Sequence, residues 1–294
     1  MKFGKVDDPS LIDFTLPIDH PATLEVLKVK GRQQKVKIHV GYTKWNRTDL
    51  RYFYPPKTKS ELAYYSQQFN SVEMNASFYR FFPRDQFVKW AETVESDFRF
   101  FPKVNQNISQ YKRLKDCEAL VDEYVDGILG LEDKLGGVFL QMMQNFAPKD
   151  FERVQHFVEY WPKSVPIAIE FRHTDWYNDA TLANELYHLF ESNGICNNLT
   201  DTPGRRDLMH MRLTNKKCFV RWVSSANHEL DHARLDEWVE RVKEWTAQGL
   251  EEFNFFVHEN MPTDGPMLST YFVEALNKGL GLNLNVPRNL YPVK

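Results

Sequence analysis

The sequence lacks the cysteine pattern and the long apolar runs that mark several protein classes. Its three cysteines, Cys117, Cys196 and Cys218, are widely spaced and form no C-x-x-C pair. This spacing argues against a disulfide framework or a structural zinc site and favours a reducing compartment. No apolar run approaches the roughly 20 residues of a membrane span, and no signal-peptide apolar region follows Met1. We therefore expect a cytoplasmic protein with no membrane partner.

The sequence also lacks an excess of charge of one sign. Its 37 Lys and Arg residues against 40 Asp and Glu give a net charge of −3 over 294 residues, so no global basic field attracts nucleic acid. It contains no GxxxxGK(S/T) phosphate loop, no GxGxxG after a predicted strand and no G-x-S-x-G elbow. Nucleic acid stays possible as a partner but is not favoured, and the oligomeric state is left open.

What the chain does have is a regular alternation of predicted strands and helices. Residues 1–34 are predicted as an N-terminal extension with one short helix over 24–30, because Pro9, Pro17 and Pro21 interrupt them. The predicted strands then cover 36–41, 69–79, 98–103, 137–143, 166–172, 195–201, 217–223 and 253–260. The predicted helices cover 60–69, 84–93, 117–131, 149–160, 179–192, 233–246 and 265–278.

This alternation indicates a fold class. Strands that alternate with helices form parallel sheets. Eight such units in about 250 residues predict one TIM barrel, a single (β/α)8 domain over residues 35–294. A doubly wound open sheet is the structural alternative.

The second predicted strand carries two different faces. Side chains alternate along a strand, so Val72 and Met74 point to one side and Glu73 and Asn75 to the other. In a parallel barrel the apolar face packs on helices, and the polar strand end lies at the rim that carries the site. This strand therefore predicts both the fold and the position of a functional site.

The same parity argument predicts polar residues at the carboxyl ends of the second to the eighth strand. They are Glu73, Asn75, Lys103, Gln141, Glu170, Arg172, Asp201, Arg221, His258 and Asn260. A barrel would bring them together around one cavity at its carboxyl-terminal mouth. The structural alternative is that pairs such as Glu170 with Arg172, or Glu73 with Lys103, are ion pairs that close the barrel top, and that His258 is a core histidine.

Aromatic residues near the same strand ends are further candidates for substrate binding. They are Tyr42, Trp45, Tyr79 and Trp176. The alternative for these side chains is packing within loops.

The residue types limit the chemistry of this site. Carboxylates and His258 are ligand types for hard cations, but Lys103, Arg172 and Arg221 in the same ring would oppose a bound cation. We therefore expect no metal and no cofactor. Lys103 and Arg172 would hold an anion, since Arg offers a planar fork and Lys a compact charge. The predicted catalytic residues are Glu73, Glu170, Lys103 and Asp201, and the other candidates would bind and orient the substrate.

These residues resemble the YecE-like proteins, known as domain-of-unknown-function family 72, over about residues 35–278. The resemblance lies in Phe53-Tyr54-Pro55, residues 69–79, Trp90, Phe98-x-Phe100-x-x-Lys103, Glu170-Phe171-Arg172-x-x-x-Trp176, Asp201-Thr202-Pro203 and Arg221. It implies a TIM barrel but no reaction, because the family has no established activity. The segments 41–45, 141–144 and 256–260 depart from the family pattern, so we expect a pocket that differs in detail.

Three functions follow as hypotheses. The first is a metal-independent enzyme acting on a small anionic substrate, a phosphorylated sugar or a nucleotide-like molecule, by hydrolase, isomerase or lyase chemistry. The second is a nucleic-acid-binding or processing protein that uses the aromatic loop 42–54 with Arg47 and Arg51. The third is a divalent-metal-dependent hydrolase that uses the carboxylates and His258.

Overall fold

Short strands alternate with helices along the chain, as predicted. The computed structural model describes residues 4–28, 35–50, 52–258 and 264–288. Within them the strands are β1 (Lys37–Tyr42), β2 (Ser71–Met74), β3 (Arg99–Pro102), β4 (Val138–Gln141), β5 (Ile167–Glu170), β6 (Cys196–Asn197), β7 (Leu199–Asp201), β8 (Lys217–Val223) and β9 (Glu252–His258). Asn198 divides the predicted sixth strand into β6 and β7.

Helices follow most of the strands. The α-helices are α1 (Pro21–Leu27), α2 (Glu61–Gln68), α3 (Ala76–Tyr79), α4 (Arg84–Thr93), α5 (Glu118–Ile128), α6 (Phe151–Tyr160), α7 (Asp175–Asn178), α8 (Ala180–Asn193), α9 (His228–Gln248) and α10 (Asp264–Leu280). Short 3-10 helices span Pro9–Leu11, Leu129–Lys134, Pro148–Asp150 and Pro203–Leu208, and a π-helix spans Asn107–Tyr111. No helix in the described ranges is long and apolar enough to cross a membrane.

Helix caps explain where two helices differ from their predicted bounds. The helix α9 begins at His228, five residues before the predicted start, because the side chain of Asn227 accepts a hydrogen bond from the backbone N–H of Leu230. The helix α1 begins at Pro21, a residue type that fits the first helical turn. The predicted helix over 24–30 is confirmed as far as Leu27, and residues 29–30 lie outside the described ranges.

The strands form two parallel sheets, which confirms the expected α/β class. One sheet has the order β3-β2-β1-β9-β8-β7 and the other the order β4-β5-β6. Single bridges between Phe100 and Leu135 and between Lys103 and Phe139 connect β3 to the β4 region. At the other end, the chain passes directly from β6 in one sheet to β7 in the other through Asn198.

Side chains from both sheets pack in a separate inner layer. Its members are Phe101, Phe139, Ala168, Cys196, Phe219 and Phe256, and all are buried. The other faces of the strands pack against the helices in a larger core. Every second residue of a strand lies on the same face. The residues that follow each inner-layer residue by two positions in the sequence therefore lie on that same face, next to one another at the carboxyl ends of the strands.

The approach of β1 to β2 depends on a glycine. A Cβ atom on Gly41 would lie 2.3 Å from the backbone oxygen of Ser71, which is too close for any other residue. Gly41 and Ser71 are partners in the register of these two strands. The glycine therefore allows β2 to pair at the position that places Glu73 among the strand ends.

The N-terminal segment packs on α9. Leu27 is fully buried in the main core. Asp19 forms an ion pair with Arg241, at 2.5 Å, and accepts a hydrogen bond from Trp245 Nε1 at 2.8 Å. This part of residues 1–34 therefore contributes to the same core as the strands.

Candidate functional site

The centre of the candidate site is a buried guanidinium between two buried carboxylates. Arg221 of β8 donates to both oxygens of Glu73 from β2, at 2.9 and 3.2 Å, and to Glu170 of β5 at 2.9 Å. The exposure of the three side chains is 7%, 0% and 1%. Charge-assisted bonds of this kind are strong and directional. One side chain thus ties together carboxyl ends from both sheets.

Both carboxylates are held in their ionised form. Burial alone would raise the pKa of Glu170, but the guanidinium groups of Arg172 and Arg221 outweigh it and lower the pKa to about 2. Burial opposes ionisation of Glu73 too, and Arg221 overcomes it, so the pKa of Glu73 lies well below its ordinary value. At neutral pH these groups are ionised hydrogen-bond acceptors.

Further polar side chains surround Glu73. His258 of β9 lies with Nε2 at 3.2 Å from Glu73 Oε2 and with Nδ1 at 3.5 Å from Arg221 Nη2. Burial and the charge of Arg221 lower the pKa of His258, so its ring is neutral at pH 7. The side chain of Asn75 donates to Glu73 Oε1 at 3.1 Å. These contacts place three predicted residues, from different strand ends, around one carboxylate.

A second group of side chains surrounds Glu170. Arg172 Nε lies 2.5 Å from Glu170 Oε1, and Gln141 Nε2 donates to the same oxygen at 3.0 Å. The side chain of Arg172 is 19% exposed, against 1% for Glu170. This guanidinium therefore lies between the buried cluster and solvent.

Lys103 differs from the other cations of the cluster. Its ammonium donates to the amide oxygen of Gln141 at 2.7 Å and lies 4.2 Å from the centre of the Phe78 ring. The ion pairs of Glu73 and Glu170 within the described residues involve Arg172 and Arg221 instead. Burial, followed by the charge of Arg221, lowers the pKa of Lys103 to about 7. Lys103 can therefore gain or lose a proton near neutral pH.

The structure adds one buried residue that the sequence analysis missed. Asn198 lies between β6 and β7, is 2% exposed, and donates to Thr200 Oγ1 at 2.9 Å and towards Glu170 Oε2 at 3.5 Å. Its Oδ1 is buried without a hydrogen-bond partner among the described residues. The signal was present in the sequence, because Asn198 and Thr200 alternate with Cys196, which belongs to the inner layer.

Asp201 lies outside the cluster, contrary to the prediction. Its side chain accepts hydrogen bonds from Arg234 Nη2 and Trp238 Nε1 of α9, both at 2.8 Å, and it also pairs with Arg206. Because Asn198 and Thr200 take the inner face of this strand, Asp201 necessarily points to the helices. It joins β7 to α9 and does not face the strand-end cluster.

Two of the four predicted aromatic residues are buried, and a third, Trp45, is half-buried and packs against the core. Tyr42 is buried, and a Cβ atom on Gly265 would touch its ring at 2.4 Å. Trp45 packs edge-on against Trp90, and Trp176 is fully buried and donates to the carbonyl of Phe146 at 2.7 Å. These residues fit the loop-packing alternative, which the sequence analysis left open.

Two predicted site residues remain, Tyr79 and Asn260. Tyr79 is 69% exposed and lies beside Phe78, with ring centres 5.1 Å apart. Asn260 lies outside the described residues. The predicted site residues that the structure brings together are Glu73, Asn75, Lys103, Gln141, Glu170, Arg172, Arg221 and His258.

A cavity of about 170 Å³ opens at the opposite, amino-terminal ends of the strands. Two of its polar lining residues already have partners: Lys217 pairs with Glu252 at 3.1 Å, and Asn254 bonds His39 at 2.7 Å. Its floor is apolar, formed by Phe101 and other residues of the inner layer. We therefore place the candidate site at the carboxyl ends, where the buried charges are.

No three His, Cys, Asp or Glu side chains are grouped as metal ligands in the part of the chain that the structure describes. The oxygens of Glu73 and Glu170 instead accept bonds from arginine, glutamine, asparagine and histidine. The carboxylate oxygens of the cluster are therefore already bonded to side-chain donors.

Comparison with known proteins gives one family. The model of the family described as "Protein of unknown function DUF72" matches residues 39–290. The chain is 22% identical over 204 residues to the UPF0759 protein YecE of Escherichia coli K12, which covers 63% of this chain and 75% of that protein. It is 31% identical over 150 residues to the UPF0759 protein YunF of Bacillus subtilis 168, covering 48% of this chain and 52% of that protein.

Solved structures agree with the fold. A crystal structure of a DUF72 family protein from Enterococcus faecalis V583 superposes with a TM-score of 0.67 at 19% identity, over 85% of this chain and 99% of that chain. A DUF72 family protein from Thermotoga maritima MSB8 gives a TM-score of 0.65 at 20% identity, over 84% and 100%. At this identity the similarity concerns the fold alone.

Proposed function

Because this chain belongs to the DUF72 family, whose description gives no reaction, we propose a function from the site itself. It is a metal-independent enzyme that acts on a small anionic substrate at the carboxyl-terminal ends of its strands. The substrate class that fits is a phosphorylated sugar or a nucleotide-like molecule.

The proposal includes the closure of the two sheets into one (β/α)8 barrel. The bridge between Lys103 and Phe139 and the bond from Val104 N–H to the carbonyl of Phe139 at 2.8 Å support one junction. The direct passage from β6 to β7 through Asn198 supports the other, with β6 and β7 acting as one strand. The inner layer, which takes side chains from both sheets, is what the interior of a barrel requires.

The observation that carries the proposal is a buried lysine bonded to a neutral group. Lys103 is 7% exposed and donates to the amide oxygen of Gln141, and no ion pair of its side chain is present among the described residues. Buried charges are stable only when they are paired. A bound phosphate or carboxylate would give Lys103 a negative partner and would favour its protonated form.

The roles of the residues follow from their protonation. Arg172 borders solvent and offers a guanidinium fork to the anion, and Lys103 adds a point charge. Lys103 is also the group that can transfer a proton near pH 7, because its pKa is about 7. Glu73 and Glu170 are ionised and hold Arg221 in place; their low pKa values make them weak proton acceptors. Asn75 and Asn198 would orient the substrate.

Thermal melts with inorganic phosphate test the proposal. Phosphate should stabilise the wild type by RT ln(1 + [L]/Kd), about 2.7 kcal/mol at a hundred times Kd. The gain should shrink in Lys103→Met and in Arg172→Gln, and it should persist in the matched control Lys134→Arg, a half-buried lysine bonded to the carbonyl of Ser96. Sodium chloride at equal ionic strength controls for general salt effects.

One result of these melts would contradict the proposal. If phosphate leaves the melting temperature of the wild type unchanged and both site variants are severely destabilised, these residues are ion pairs that close the strand ends. The proposed substrate class would then have lost its support.

A further inference from the structure

We infer that the amine of Lys103 is a nucleophile, which forms an imine with an aldehyde or ketone group of the anionic substrate. This inference rests on the proposed function and narrows its substrate class to anionic carbonyl compounds. Lys103 differs from Arg172 and Arg221, because its hydrogen bond goes to a neutral amide and not to a carboxylate.

The surroundings of Lys103 suit a reactive amine. The residue is 7% exposed, and its Nζ lies 4.2 Å from the centre of the Phe78 ring and 5.6 Å from that of Phe139. Its hydrogen bond goes to the neutral amide of Gln141, whereas the carboxylates are bound by Arg172 and Arg221. A buried amine whose hydrogen bond goes to a neutral acceptor loses its proton more easily than one in an ion pair.

The protonation of this amine supports the same reading. Because burial lowers the pKa of Lys103 to about 7, about half of it is neutral at pH 7, against roughly one part in three thousand for an ordinary lysine. The charged groups that act on it are Arg221, Glu73, Glu170 and Arg172, and the carboxylates only partly offset burial and the two guanidinium groups. Only the neutral amine has a lone pair to form a bond.

The reaction balances without any further reactant. The ammonium of Lys103 first releases a proton, and its nitrogen then adds to the carbonyl carbon while an N–H proton moves to the oxygen. The released proton returns, the oxygen leaves as water, and a protonated imine remains. The ammonium and the carbonyl compound have then given an iminium ion and water, with no change in oxidation state.

Two neighbours complete a site for such a substrate. The guanidinium of Arg172, 19% exposed, is placed to hold a carboxylate or phosphate near the reacting carbonyl. The buried Oδ1 of Asn198, which lacks a partner among the described residues, can accept a hydrogen bond from a hydroxyl formed in the reaction. Asn198 lies against Glu170, which also borders Gln141, the partner of Lys103.

Reductive trapping tests the inference directly. Wild-type protein at pH 7 is incubated with glyoxylate, pyruvate or dihydroxyacetone phosphate and then treated with sodium borohydride, which converts an imine into a stable secondary amine. Peptide mass spectrometry locates the adduct. We expect Lys103 to be labelled at least about tenfold more than any other lysine, because of its larger neutral fraction. The peptide map of the wild type suffices for this result, so it does not depend on a variant that folds.

Variants test separately whether the amine of Lys103 reacts and whether Arg172 holds the anionic group. Lys103→Arg keeps the charge but should lose the adduct, and Lys134→Arg should keep it. Arg172→Gln should lower labelling by pyruvate about tenfold more than labelling by acetone, the cost of one charge-assisted bond; labelling by acetone reports the change in the pKa of Lys103 that the lost guanidinium causes. Equal labelling of the wild type by acetone and by pyruvate would overturn the anionic part of the substrate class.

The failure of this inference differs from that of the proposed function. If phosphate stabilises the protein through Lys103 and Arg172 but none of the three anionic carbonyl compounds labels Lys103, the imine is wrong and the anion site stands. If phosphate has no effect and labelling is spread over surface lysines, both are wrong.

Discussion

Replacing Lys103 with methionine should change how the stability of the protein depends on pH. Burial and the charge of Arg221 lower the pKa of Lys103 from 10.5 to about 7. Between these values the unfolded chain binds a proton that the folded protein does not, so the free energy of unfolding rises with pH by about 1.4 kcal/mol per unit. Below pH 7 the amine is protonated in both states, and the full cost of burying the charge, about 5 kcal/mol, opposes folding.

Urea unfolding at pH 6, 7, 8 and 9 in phosphate-free buffer measures this effect. The stability of wild type minus that of Lys103→Met should increase by about 2–3 kcal/mol between pH 7 and pH 9, because all other groups titrate alike in both proteins. The difference should be nearly constant below pH 7. For the control Lys134→Arg we expect a constant difference throughout. A constant difference for Lys103→Met as well would show that Lys103 titrates like an exposed lysine, and the reasoning about this site would be refuted.

Three further predictions concern the residues around the site. Asp201→Asn should lower stability by about 1.5–3 kcal/mol in urea unfolding, because Arg234 loses its charged partner on β7 but keeps its ion pair with Asp231 at 2.8 Å. The phosphate shift in thermal melts should persist; loss of that shift would return Asp201 to the site. The pKa of Glu170 is about 2 in the folded protein, so the stability that its charge contributes is present above pH 4.5 and is lost as the pH falls towards 2. In acid unfolding followed by circular dichroism, the free energy of unfolding of the wild type should therefore fall by about 3 kcal/mol more than that of Glu170→Gln over this range. Parallel plots of stability against pH for the two proteins would contradict this. Trp176→Phe should cost about 1–3 kcal/mol in urea unfolding, through the unpaired carbonyl of Phe146, and leave phosphate stabilisation unchanged; a lost phosphate response would make Trp176 a ligand platform.

Much of the fold is readable from the sequence because local periodicity determines it. The strand β8 and the helix α4 have the predicted bounds, and most other elements differ by one to three residues at their ends. Parity along β2, β5 and β8 also predicted that Glu73, Glu170 and Arg221 lie on one face at the carboxyl ends of their strands, although the ion pairs of Arg221 with both carboxylates were not predicted.

The parts that sequence reasoning missed depend on distant contacts. Asp201 was assigned to the site by its carboxylate, but its partners Arg234 and Trp238 lie on a helix 33 and 37 residues away. Asn198 was overlooked because Asp201 was assigned to the inner face of this strand, and alternation then places Asn198 on the opposite face. Whether Trp45 and Trp176 face solvent depends on tertiary packing, which periodicity does not encode.

The central claim is that Lys103 and its neighbours hold a small anion. The most direct test is the pKa of Lys103, measured by NMR of its side-chain nitrogen with and without saturating phosphate. We predict a pKa of about 7 in the free protein and a rise of about one unit or more with phosphate, because a nearby opposite charge favours the ammonium. A pKa near 7 that phosphate leaves unchanged, with no change in the Lys103 signal, would contradict the claim.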